Sequence, residues 1–247
     1  MRSVVDTHEL LRNLEATYAP AVETVGHLRT VTMAPIIGPV AVGKSTLMDR
    51  ITVMCPDEFG RVTSFTTRPI RPGEASTEYR FLPHTDATLD TLLNSVENGE
   101  LVQYAVHPTT GFVYGSDISD YSMPYMMLDT LSSAVDGLRK LPFKRVSEII
   151  LVTTPEQWHT RFAWRQRLQA TSPEPKDAIK RIREGISSLE WSLDQGDAVS
   201  WLTNNAGEQD TTALRAIDII KNGNVDNSQA RLIGEQLLRE LKVLHDA

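Results

Sequence analysis

Apolar residues recur at helical spacing over residues 6–30, where Leu10, Leu11, Leu14, Tyr18, Val22, Val25 and Leu28 mark an amphipathic helix interrupted near Pro20. Val31–Ile37 is a continuous apolar run of strand length, and a helix follows from about Lys44 to Met54, closed by Pro56-Asp57. Residues 61–118 read differently: short strand-like pieces and turns, among them Arg71-Pro72-Gly73 and Gly111, surround one helical stretch near 86–97. Beyond them the alternation resumes. Tyr125–Leu128 is a short apolar run ending at Asp129, Ser132–Leu141 a helix, Glu148–Thr153 a buried strand and Pro155–Leu168 an arginine-rich helix. Asp177–Leu193 carries Ile179, Ile182, Ile186 and Leu189 on one side, Ala198–Thr203 is the last strand, and Thr211–Ile220 is a helix. Asn227 or Ser228 caps a final helix with Leu232, Ile233, Leu237, Leu238, Leu241 and Leu244 on its apolar side. Strand alternating with helix predicts an α/β fold, a parallel sheet flanked by helices. No internal repeat is visible, and the Pro/Ser-enriched Ala170–Lys176 reads as a loop.

Composition narrows this picture. The chain has 247 residues, 40% of them hydrophobic and 23% charged, which suits one large domain or one domain with appendages. A net charge of −7 offers no global attraction for nucleic acid, so none is expected as a partner. The single cysteine, Cys55, excludes an internal disulfide framework and fits a reducing cytosol. No apolar run reaches the roughly 20 residues of a membrane span. The start, MRSVVDTHEL, is polar where a secretory signal is apolar. The expectation is a cytoplasmic protein without a membrane partner.

Chemistry enters at Gly38-Pro39-Val40-Ala41-Val42-Gly43-Lys44-Ser45-Thr46, placed after a strand and before a helix. The spacing Gly-x-x-x-x-Gly-Lys-Ser is that of a phosphate-cradling loop. Gly38 and Gly43 let the backbone curl so that successive N–H groups turn toward one phosphate, and the helix that follows adds its positive end. Lys44 is placed to reach the β- and γ-phosphates of ATP, and Ser45 to ligate Mg2+. The pattern arises by accident in roughly one chain in a hundred of this length.

A phosphate loop serves GTPases, motors and kinases alike; a kinase needs, besides, a second anionic site and cations that cover the transferred group. Arg68 and Arg71, three apart around a proline, can aim two guanidinium forks at one phosphate. Their setting, Ser64-Phe65-Thr66-Thr67-Arg68-Pro69-Ile70-Arg71-Pro72-Gly73-Glu74 with Glu78-Tyr79 beyond, resembles the monophosphate-binding segment of guanylate kinases. Asn98–Ser116 is similar to that family's Gly-Glu-Phe-x-Glu-Trp-Ala…Tyr-Gly-Ser segment, with about two extra residues before Gly111. The resemblance implies that Tyr79 and Tyr114 bond the monophosphate and that Ser64 and Ser116 face the base of GMP. Arg161 and Arg165, one helical turn apart, match the family's pair of lid arginines. The third is Arg181 or Arg183, with Arg181 preferred. Asn204 matches a position beside the adenine of ATP, and Asp129 an aspartate of the GMP site.

The resemblance runs from about Val31 to Ile220. It implies a P-loop kinase fold over 31–221, with a core of 31–63, 119–160 and 184–221. A small monophosphate-binding subdomain covers 64–118 and a helical lid 161–183. An N-terminal helical extension (1–30) and a C-terminal helix (222–247) lie outside it; they pack on the core or form a dimer contact, so the chain is a monomer or a homodimer. The implied activity is phosphorylation of GMP or dGMP by ATP with Mg2+, with Lys44, Arg68, Arg161 and Arg165 catalytic and small-molecule nucleotides as the partners.

Four residues depart from the family. Gln103 stands where a glutamate accepts both N1–H and the N2 amino group of guanine, and an amide cannot accept both in the same geometry. Leu131 replaces the second aspartate of an Asp-x-Asp, and Val40-Ala41 replaces Ser-Gly in the loop. Two further readings stay open: a guanylate-kinase-like enzyme with altered acceptor specificity, and a non-catalytic protein-interaction module. A module is expected to lose the loop lysine and lid arginines first, and all of them are present.

Overall fold

The computed structural model describes residues 4–70, 79–168, 175–223 and 228–246. The chain divides into two compact units, one of 1–31, 61–122 and 141–144, the other of 32–60, 123–140 and 145–247. Among the described residues the strands are β1 (Thr32–Ile37), β2 (Phe59–Arg61), β3 (Phe65–Thr66), β4 (Arg80–Phe81), β5 (Leu101–Val106), β6 (Val113–Asp117), β7 (Tyr125–Asp129), β8 (Arg145–Val146), β9 (Ile149–Val152) and β10 (Ser200–Thr203). The helices are α1 (Val4–Glu15), α2 (Val22–Leu28), α3 (Lys44–Met54), α4 (Asp86–Glu97), α5 (Val135–Lys140), α6 (Pro155–Leu168), α7 (Pro175–Asp194), α8 (Gln209–Asn222) and α9 (Ser228–Asp246). None of these helices is long and apolar enough to cross a membrane.

The larger unit is built on a sheet of order β10-β9-β1-β7-β2, in which β8 also pairs with β1. β1 runs parallel to β7, β8 and β9, and β9 parallel to β10. All six residues of β1 are buried, as its unbroken apolar run predicts for a strand covered on both faces. Pro35 sits inside this central strand, where a missing N–H ordinarily breaks a ladder. Thr32 N–H donates to Pro124 O on the β7 side, and main-chain direction alternates along a strand, so Pro35 faces β8 and β9. There the neighbouring strand is itself interrupted, at Ser147-Glu148 between β8 and β9, so no partner is deprived of a donor.

Helices cover this sheet through one apolar core that includes Ile36, Ile37, Leu151, Trp158, Trp201 and Leu202. Leu237 and Leu241 of α9 are wholly buried in it. Gly234 lets α9 approach closely: a Cβ there would lie 2.3 Å from Trp201 Cζ3. Gly185 of α7 does the same for the phosphate loop and α9, with its Cβ position 3.2 Å from both Pro39 Cβ and Leu241 Cδ1.

The smaller unit is a sheet of order β4-β3-β6-β5, antiparallel except for β3 and β4. α4 starts at Thr85, whose side chain accepts from Thr88 N–H as an N-cap, and its Leu89, Leu92, Leu93 and Val96 bury against the sheet. α1 packs on the same cluster through Leu11. Tyr104 Oη donates to Leu11 O at 2.8 Å, and Glu15 accepts the Val106 N–H at 3.0 Å. The N-terminal helix is therefore bonded into this unit by side chains as well as by apolar contact.

Candidate nucleotide sites

In the larger unit the chain leaves β1 at Gly38, where a Cβ would stand 2.3 Å from the main-chain oxygen of Leu151. The turn needs left-handed backbone at three residues: Gly38 (φ 147°), Ala41 (φ 68°) and Gly43 (φ 95°). Ala41 takes that conformation with a side chain, at a cost of about 1–2 kcal/mol. α3 then begins at Lys44, with Ser45 and Thr46 exposed on its first turn.

Lys44 folds back over the curl. Its Nζ donates to Gly38 O at 2.7 Å and Pro39 O at 3.2 Å, and lies 3.6 Å from Asp129 Oδ1 at the end of β7. Burial pulls the ammonium below its ordinary pKa; Asp129 opposes that, the charge of Arg165 adds to it, and Glu184 opposes it.

The other loop carbonyls are held from neighbouring elements. Trp158 Nε1 donates to Val40 O at 2.8 Å, while Val42 O accepts from Asn204 Nδ2 at 2.8 Å and from Arg161 at 3.2 Å. Arg161 donates as well to Gln157 Oε1 at 3.1 Å, which also accepts the Ala206 N–H at 2.7 Å. Burial lowers the pKa of the Arg161 guanidinium. Arg165, one turn further on, is exposed. On α7, Arg183 donates to His245 Nε2 at 3.4 Å, and the half-buried Arg181 lies one turn before Gly185, on the helix face that meets Pro39.

In the smaller unit Arg68 is 5% exposed. Its guanidinium carbon lies 5.2 Å from the centre of the Tyr79 ring and 5.3 Å from that of Phe81, and it donates to Pro69 O at 3.0 Å. Tyr79 meets Tyr114 edge-on at 6.2 Å. The preceding Thr67 is fixed by its hydroxyl, which accepts the Val113 N–H at 2.9 Å and lies 3.0 Å from His84 Nδ1. Gln103 is half-buried on β5 and paired directly with Ser116 of β6. Ser116 is fully buried, and its hydroxyl is 3.0 Å from Tyr121 Oη. Burial pushes the Tyr121 hydroxyl well above the usual tyrosine pKa. Ser64 is half-buried, and its carbonyl accepts the Arg80 N–H at 3.0 Å. Arg71, with Gly73, Glu74 and Glu78 of the same motif, lies outside the described residues.

The structure thus brings Lys44, Arg161, Asn204 and Asp129 to one loop, and Arg68, Tyr79 and Tyr114 to one patch of the small sheet. Asp129, expected with the acceptor residues, belongs to the larger unit beside Lys44, whereas Gln103 belongs to the smaller. Sequence reasoning missed Gln157, Trp158, Phe81 and Tyr121. Two of these carried a signal: Gln157 is four residues before Arg161 on a helix, and Phe81 two after Tyr79 on extended chain.

No family model matches the chain. It is 26% identical to guanylate kinase of Homo sapiens over 163 residues, which are 64% of this chain and 78% of that protein. It is 38% identical to guanylate kinase of Nocardia farcinica (strain IFM 10152) over 82 residues, a third of this chain (33%) and 39% of that relative's length. Among solved structures, guanylate kinase from Anaplasma phagocytophilum overlays with a TM-score of 0.41 and 18% identity, covering 87% of this chain and 95% of that one. In sequence, the chain is similar to guanylate kinases, over most of the human protein and a shorter part of the bacterial one.

Proposed function

We propose that the chain is a nucleoside monophosphate kinase of the guanylate kinase type, transferring the γ-phosphoryl group of ATP to GMP or dGMP and releasing ADP. The observation that supports this reading is a pair of cationic patches: Lys44 is held on carbonyls of its own loop, with Arg161 and Asn204 on the same loop, and Arg68 is set against Tyr79 and Phe81 in the smaller unit. Carbonyl oxygens are neutral acceptors, whereas a phosphate oxygen adds the attraction of opposite charges to the hydrogen bond. A triphosphate entering the curl would take Lys44 and Arg161 from those carbonyls.

An oxygen of the GMP phosphate attacks the γ-phosphorus in line as the bond to the ADP oxygen breaks. Lys44, Arg161 and Arg165 stabilise the charge that builds on the transferred group, and Arg68 with Arg71 positions the acceptor. The rings of Tyr79 and Phe81, which meet edge-on at 6.0 Å, hold the Arg68 guanidinium by cation–π contact in the acceptor site. Ser45 fits Mg2+, since its exposed hydroxyl stands on the first turn of α3 and this ion takes few protein ligands beside phosphate and water. A bound Mg2+ would supply neutralisation of phosphate charge there.

Gln103 favours a second reading, altered acceptor specificity. A donor of guanine facing the donor of a half-buried amide costs roughly 1–3 kcal/mol, and Ser116 opposite already has Tyr121 as its partner. Steady-state assays with ATP·Mg and GMP, dGMP, IMP or AMP test both readings. Diphosphate formed from GMP supports the first, and comparable kcat/KM for IMP supports the second. No diphosphate from any of the four would end the kinase reading and leave the interaction module.

A further inference from the structure

We infer that Trp164 is the stacking platform for the base of the nucleoside triphosphate donor, an inference that rests on the donor reading of the phosphate loop. Trp164 follows Gln157 by seven residues and Arg161 by three, so the three share one stripe of α6. The direction of that stripe is fixed by its hydrogen bonds: Gln157 accepts from Ala206 N–H, and Arg161 donates to Val42 O of the phosphate loop. Trp164 is the next large side chain along it. Helical side chains lean toward the helix N-terminus, which tips the indole back over the turn that carries Arg161.

Its environment is that of a surface awaiting a flat partner. Trp164 is 63% exposed, whereas Trp158 and Trp201 are fully buried. The turn that Gln157 grips is made of small residues: Ala206 is exposed, and Gly207 (φ 83°) has nothing within 4 Å of where a Cβ would stand. The next residue back, Asn205, has an Oδ1 that is shielded from water and has no hydrogen-bond donor among the described residues. An unmet acceptor of this kind is costly, and a base amino group meeting the carboxamide as it turns outward relieves it. Adenine carries such an amino group and a π face of the right size for an indole. A tryptophan contributes ring-face recognition that hydrogen bonds from Asn204 or Asn205 do not.

The test compares binding of ATP·Mg with that of tripolyphosphate·Mg, which has no base, by calorimetry on the wild type, Trp164→Ala and Trp164→Phe. Stacking on a base typically contributes enough that its loss weakens binding about tenfold. The expected result is that Trp164→Ala weakens ATP about tenfold and tripolyphosphate less than about twofold, with Trp164→Phe close to wild type. ATP should quench wild-type tryptophan fluorescence, and most of that quench should be lost in Trp164→Phe, because Trp158 and Trp201 are fully buried and Trp191 is partly buried. Equal ATP affinity in wild type and Trp164→Ala, or an equal loss of both ligands, would overturn the inference alone. A wild type that binds neither ligand would overturn the donor reading along with it.

Discussion

Lys44 and Arg161 in the larger unit are held by main-chain oxygens at 2.7–3.2 Å. Arg68 in the smaller unit also donates to a carbonyl, but its guanidinium is set against the rings of Tyr79 and Phe81. The two arrangements prepare a cation differently. A hydrogen bond to a carbonyl is exchanged when a charged oxygen arrives, so the lysine can move onto a phosphate without leaving a donor unmet. Contact with aromatic rings persists, because it acts on the positive charge through the ring faces and needs no exchange when a ligand arrives. One unit stores its cations on exchangeable partners; the other presents its cation already oriented.

The strongest break of this comparison is Lys44→Ala. Turnover should fall by more than tenfold while the fold is kept, with a loss of about 1–3 kcal/mol in stability because the carbonyls of the buried Gly38 and Pro39 lose their donor; unchanged GDP formation would refute the role. The same residue has a pH signature. Burial depresses the Lys44 pKa in the free protein, so its charge is lost below the ordinary value of 10.5 as pH rises. The alkaline limb of kcat/KM for ATP should lie below that value, and the limb of kcat should lie higher, where bound phosphates favour the ammonium.

Next in size is Gly38→Ala, which forces a Cβ onto the Leu151 oxygen of a central strand. It should cost about 1–3 kcal/mol, seen as a drop in melting temperature of roughly 2–4 °C per kcal/mol. In the smaller unit, Gln103→Glu should raise the preference for GMP over IMP by roughly tenfold, within the 1–3 kcal/mol attached to one mismatched polar contact. Full GMP preference in the wild type, unimproved by the change, would count against Gln103 as a reader of the base. The smallest effect belongs to Ala41→Gly. At φ 68° glycine removes strain, but it also adds freedom to the unfolded chain, so stability should change by less than about 1 kcal/mol.

Much of this was legible in the residues. α3 and α4 begin and end where the sequence places them, because Gly43 and the Thr85 cap fix one end of each. β3, β4 and β8, two residues each, are too short for any period to mark them. They exist because tertiary neighbours supply the ladder. The apolar stripe of α1 foretold a packed helix but not its partner: Tyr104 of β5 donates to Leu11 O and Glu15 accepts from Val106 of β5, across more than ninety residues of sequence. At the site, Lys44 was evident from spacing alone. The grip of Trp158 and Gln157 on the loop and on the turn after β10 was not, since contacts across 49 and 118 residues leave no local pattern.

Helix α9 lies beyond the stretch that resembles guanylate kinases, yet Leu237 and Leu241 are wholly buried and Gly234 seats it on Trp201. A shortened chain trimmed to the region of resemblance, ending near residue 221, would strip the cover from β10 and from the packing of α7. It should expose apolar surface and aggregate rather than behave as a minimal kinase. Similarity in sequence traces where the chemistry is written; the boundary of the foldable unit is drawn by what must stay dry.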